Sequence, residues 1–197
     1  GWLVLAVVGA YATGAITPYS DSTYNSLAVV ATVAVAATAI ALVGMLVAQG
    51  AKPDWEQALV LALSVLIASS SAGAFNQYYE RHADRLMART CCRAFVTGAL
   101  TASSGWLVLM AAMLVAALGA AAWILNPVSA FFVFLGAFFY GVVYTVWLKR
   151  RTWWNIVIGG LAGSFAVLAG ATAVEPTLGP LPVLLALVLF LWTPPHF

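Results

Sequence analysis

Asn76-Gln77-Tyr78-Tyr79-Glu80-Arg81-His82-Ala83-Asp84-Arg85-Leu86-Met87-Ala88-Arg89-Thr90-Cys91-Cys92-Arg93 is a charged stretch set between two apolar runs, each long enough to cross a bilayer. It gathers two of the six acids and four of the eight Lys/Arg in a chain of 197 residues. The whole chain is 64% hydrophobic and 7% charged, with a mean hydropathy of +1.01. A soluble domain carries about 25% charged residues. Apolar surface on this scale calls for lipid as the solvent, which excludes an ordinary soluble domain. A net charge of +2 is too small to point to nucleic acid. Cys91 and Cys92 are adjacent, with neither disulfide geometry nor metal-ligand spacing, and read as reduced thiols.

Working outward, six apolar runs read as membrane helices: Leu27–Ala48, Trp55–Phe75, Gly105–Leu125, Val128–Leu148, Trp153–Val174 and Leu181–Trp192. A further run, Trp2–Ile16, precedes a polar break over Pro18–Ser26. Turn-rich punctuation separates the rest: Gln49–Asp54, Asn126-Pro127 and Glu175–Pro180. The expected fold is an all-α polytopic transmembrane bundle. Residues 1–26 form an extra helix and break, and residues 27–197 form one domain. Both ends of the chain fall inside apolar runs and no initiating Met is present, so the sequence reads as an excerpt of a longer polypeptide.

Counting the six helices from Leu27, the second-to-third and fourth-to-fifth connections share one side. They hold Arg81, Arg85, Arg89, Arg93, Lys149, Arg150 and Arg151, which is seven of the eight Lys/Arg. The positive-inside rule puts that side in the cytoplasm of a prokaryotic cell, or the equivalent compartment of the mitochondrial inner membrane. Orientation alone accounts for the basic residues, but not for the acids among them. Most tryptophans stand near span ends, as in an interfacial belt.

Asn76, Glu80 and Asp84 are spaced i, i+4, i+8, which on a helix makes one stripe about 12 Å long. Like charges four residues apart repel, more strongly near a membrane, so a cation is expected between the two carboxylates. An amide and two carboxylates are hard ligands that suit Mg²⁺, whose remaining positions go to phosphate and water. Arg81, Arg85 and Arg89 form a second stripe about 100° round, fit for phosphate oxygens. The competing reading is salt bridging between the two stripes. Lys149-Arg150-Arg151, with Asn155 a turn later, is fit either to hold a diphosphate or to anchor the topology. His82 and His196 are the only histidines and read either as structural or as cofactor contacts. Gly159, Gly160 and Gly163 read as a close helix crossing.

The series Asn76, Glu80, Asp84, Met87, Arg89, Thr90, Arg93 and Gly98 resembles the signature of the UbiA superfamily of intramembrane aromatic prenyltransferases. The likeness is strongest to its haem-farnesylating branch. It is carried by Asn76–Arg81, by Tyr144–Thr152 with Trp154–Gly160, and by Phe190–Phe197, and it spans about Ala41 to Phe197.

The resemblance implies a polytopic bundle in which Mg²⁺, held by Asn76, Glu80 and Asp84, grips farnesyl diphosphate. Arg81, Arg85, Arg89, Arg93, Lys149, Arg150 and Asn155 would contact the diphosphate. The acceptor would be haem B, the product haem O, with His82 and His196 as haem-proximal candidates and a haem A synthase as a partner. Rival readings are prenylation of a quinone or chlorin precursor and a non-catalytic haem or lipid assembly factor. The chain departs from the family pattern at several places. His82 stands where Asp is common, Ala83 where a larger apolar residue is usual, and Ala94 and Val96 where prolines are expected. The first helix lacks a Lys-Pro-Arg start, and no acid follows Glu175, although the family carries a second acidic motif after the sixth helix. The excerpt alone is therefore expected not to turn over. The stretch before Ala41 is faintly like the end of a haem A synthase-type bundle.

Overall fold

The computed structural model describes residues 22–48, 53–88, 90–152 and 154–196. Within these residues the helices run in order α1 Ser22–Val47, α2 Trp55–Asp84, α3 Ala94–Thr97, α4 Ser104–Ala120, α5 Pro127–Phe138, α6 Asn155–Val174 and α7 Pro180–His196. Two of them continue in π-helical form, α4 through Ala121–Leu125 and α5 through Phe139–Leu148. Among the described residues there is no strand, so the fold is all-α as expected. Among the described residues five helices are long and apolar enough to cross a membrane: Ala28–Val47, Trp55–Asp84, Ser104–Leu125, Pro127–Leu148 and Asn155–Val174. The sixth expected span is present as α7, but its apolar part, Pro180–Thr193, is shorter than the others. Trp2–Ile16 lies outside the described residues.

Local chemistry sets the boundaries. Asp54 caps α2 through a reciprocal arrangement with Gln57: the Trp55 N–H donates to Asp54 Oδ1 at 2.7 Å and the Asp54 N–H to Gln57 Oε1 at 3.3 Å. Asn126 accepts from the Ser129 N–H at 2.8 Å while Pro127 opens the first turn, where its missing N–H costs nothing. Two boundaries differ from expectation. α2 does not stop at Phe75 but runs unbroken to Asp84, because nothing between them breaks a helix. Ser22–Ser26, read as part of a polar break, opens α1, because Ser and Thr are tolerated in a helix's first turn.

α6 is the hub, packed against α1, α5 and α7, while α2 packs between α1 and α4. The core joins Ala41 and Met45 of α1, Leu61 and Val65 of α2, Val133 of α5 and Ala166, Ala169 and Ala173 of α6. Small side chains dominate because backbones meet: a Cβ on Gly170 would run into the Ala41 carbonyl, and one on Gly44 into that of Val167. Hydroxyls add cross-helix clips. Ser71 donates to the Met110 carbonyl, Ser129 to that of Ala169 and Ser164 to that of Ala186, each at 2.8 Å. With successive spans antiparallel, the end of α2, the start of α4, the end of the π-helical continuation of α5 and the start of α6 meet at one end of the bundle.

Candidate functional site

At that end, the last turns of α2 present their polar face inward. Asn76 is 5%, Glu80 1% and Asp84 0% exposed, so the i, i+4, i+8 stripe faces protein rather than solvent. Opposite it stands the π-helical segment Phe139–Leu148. Asn76 Nδ2 donates to Thr145 Oγ1 at 2.9 Å, and the Thr145 hydroxyl donates to the Tyr140 carbonyl at 2.8 Å. Lys149 Nζ donates to Glu80 Oε2. Both bridges join residues 69 positions apart, so the two helices run parallel and in register, with the bridges four residues apart on each. On the third side, Arg93 Nη1 donates to Asp84 Oδ2 at 2.7 Å, and the Thr90 hydroxyl donates to the Asp84 carbonyl oxygen at 3.2 Å.

Glu80 and Asp84 do not share one side-chain cation: each carboxylate pairs with its own, Lys149 at the end of α5's continuation and Arg93 from the loop before α3. Salt bridging between the acidic stripe and Arg81 or Arg85 does not occur either. Arg81 donates to the Tyr78 carbonyl at 2.7 Å and lies 4.7 Å over the Tyr78 ring, while Arg85 is exposed.

The other expected residues divide in the same way. Arg150 and His82 are exposed, and Asn155 donates to the Lys149 carbonyl at 3.4 Å, bracing the turn that carries the lysine. Arg89 and the His196 side chain lie outside what is described. Lys149 also stands 5.6 Å over the Tyr144 ring, which stacks on Tyr140. Thr145, Tyr140 and Tyr144 were missed by the sequence reading. Tyr144 and Thr145 fell within the segment Tyr144–Thr152, which drew attention to its basic end, and Tyr140 lay outside it. Outside the spans, the hydrogen bond with Cys91 holds the Cys92 thiol above the ordinary thiol range.

Beside the polar cluster lies an apolar cavity of 380 Å³ between α1, α2, α5, α6 and α7, with Ile40, Val65, Phe132, Val133 and Leu189 in its wall. Tyr140 belongs to both, lining the cavity while its carbonyl accepts from the Thr145 hydroxyl. Among the described residues no three His, Cys, Asp or Glu side chains gather as a ready-made metal cage. The donor set nonetheless fits a hard cation. Asp84 Oδ1 is buried with no hydrogen-bond partner, and an orphaned carboxylate oxygen in such a place is costly unless a cation meets it.

Comparisons with known proteins place the chain in a family. The family model for the UbiA prenyltransferase family matches residues 37–197. The chain is 57% identical over 157 residues to protoheme IX farnesyltransferase 2 of Paramagnetospirillum magneticum, covering 80% of this chain and 54% of the relative. It is 51% identical over 146 residues to protoheme IX farnesyltransferase 1 of the same organism, covering 74% and 51%. A protoheme IX farnesyltransferase of Pyrobaculum neutrophilum is 41% identical over 143 residues, covering 73% and 51%. The chain thus spans about half the length of the curated relatives it matches. No solved structure matches it.

Proposed function

Because this chain belongs to the UbiA prenyltransferase family, and is with its five spans an integral membrane protein, we propose that its protein transfers a farnesyl group from farnesyl diphosphate to a vinyl group of haem B, giving haem O. The observation that carries this reading is the buried face Asn76–Glu80–Asp84, matched by Lys149 and Arg93 and set beside an apolar cavity. The names of the relatives supply the choice of farnesyl and haem. The haem O product would pass to a haem A synthase.

Asn76, Glu80 and Asp84 would hold a divalent cation, taken as Mg²⁺. When bound, that cation supplies charge neutralisation to the diphosphate. The rest falls to the chain's own residues. Lys149 and Arg93 already point at the acids and are placed to turn their N–H groups onto diphosphate oxygens as the allylic C–O bond breaks. Arg81, Arg85, Arg89, Arg150 and Asn155 belong to the same basic end and are proposed as a looser outer contact. The apolar cavity seats the isoprenoid and keeps water from the farnesyl cation. The terminal vinyl carbon of haem B then forms a C–C bond to that cation. Water adds at the adjacent carbon and loses a proton, while diphosphate leaves with the electron pair of the broken C–O bond. His82 and His196 remain the proposed haem-proximal residues, and the basic end is proposed to face the cytoplasm.

The test is an assay of the full-length gene product with farnesyl diphosphate and haem B, with and without magnesium. Asp84→Asn is expected to lower haem O formation by about a hundredfold or more, since it weakens the hold on the cation that neutralises the departing diphosphate, while membrane insertion is retained. Haem O at wild-type levels from cells carrying that variant would defeat the assignment.

A further inference from the structure

The carboxamide of Asn76 has two ends of nearly equal shape, and only its oxygen can ligate a cation. Thr145 decides which end faces which way. It is 1% exposed, and its hydroxyl carries a single proton, donated to the Tyr140 carbonyl at 2.8 Å. With that proton committed, the hydroxyl can only accept from Asn76, and it does so from Nδ2 at 2.9 Å. A flipped amide would set oxygen against oxygen and leave a buried N–H₂ without this partner, which a low-dielectric interior penalises. The amide oxygen is thereby held turned away from Thr145. The commitment of the proton rests in turn on the π-helical course of Phe139–Leu148, where bonding runs from i to i−5 and sets the Tyr140 carbonyl beneath Thr145.

We propose that Thr145 is a positioning residue that locks the Asn76 carboxamide with Oδ1 presented to the cation. It would serve as an outer partner that orients a ligand rather than touching substrate. This deepens, and rests on, the reading of Asn76, Glu80 and Asp84 as ligands of a divalent cation.

The experiment titrates Mn²⁺ into the full-length protein in the presence of inorganic pyrophosphate, with bound ion read by electron paramagnetic resonance. Thr145→Val, which keeps the shape and removes the hydroxyl, is expected to weaken Mn²⁺ binding by about 10- to 100-fold. Thr145→Ser is expected to restore it. The deciding comparison is Asn76→Asp against Asn76→Asp/Thr145→Val. A carboxylate offers oxygen at both ends and needs no orienting, so these two are expected to bind Mn²⁺ alike. Thr145→Val binding as wild type, or losing as much affinity in the Asn76→Asp background as alone, overturns the inference and leaves Thr145 as a helix clip. If Asp84→Asn leaves wild-type Mn²⁺ binding unchanged, the underlying cation reading fails and this inference falls with it. If Asp84 is required and Thr145→Val is silent, only the inference falls.

Discussion

Lys149 holds its ammonium on Glu80, a carboxylate only 1% exposed. Removing one partner of a buried charge pair costs far more than the pair is worth, because the remaining charge is stranded. Lys149→Ala is therefore expected to raise the apparent KM for farnesyl diphosphate by about tenfold or more, with Lys149→Arg close to wild type. An unchanged KM would return Lys149 to a topological anchor. At Cys92 the sign follows from the raised pKa: at pH 8 less thiolate is present than in an ordinary cysteine, so alkylation is slow. Cys91→Ala removes the hydrogen-bonding neighbour, and the midpoint of the rate–pH profile for maleimide labelling at Cys92 is expected to move to lower pH. The shared face of Asn76, Glu80 and Asp84 was legible because i, i+4 spacing fixes it locally. Their partners were not, since no local rule joins residue 80 to 149 or 76 to 145.

Among the elements, the α1–α6 crossing depends on the missing side chains of Gly44 and Gly170. Gly170→Leu is expected to destabilise the bundle by about 1–3 kcal/mol through overpacking, lowering the melting temperature in detergent. Gly119 has open space around it, so Gly119→Ala is the matched control and is expected to leave melting unchanged or slightly higher. Capped boundaries such as Asp54 and Asn126-Pro127 were readable because capping chemistry is written in adjacent residues. The Gly159–Gly163 run was also read as a crossing, and Gly160 does pack against Thr193 of α7. The π-helical course of residues 139–148 had no signature in residue types. It is a register property, and the placement of Thr145 and Lys149 depends on it.

At the scale of the molecule, the basic end holds Arg93, Lys149 and Arg150, whereas the α6–α7 turn with Glu175 and Thr177 lies at the other end. In intact cells a membrane-impermeant maleimide is expected to label Thr177→Cys and spare Arg150→Cys; the reverse pattern would invert the orientation. The fold class was legible from composition because so apolar a chain has few soluble alternatives. The membership of α7 as a short apolar helix was less so, since apolar length alone does not separate a full span from a partial one. The two parallel bridges from α2 to the continuation of α5, each closing a gap of 69 residues, also bear on biosynthesis. At about 5–20 residues per second of translation, Glu80 leaves the ribosome roughly 3 to 14 seconds before its lysine does. During that interval the nascent α2 must keep its acids among lipid headgroups and water, so the basic end of the bundle is born wet and becomes dry only when the later hairpin arrives.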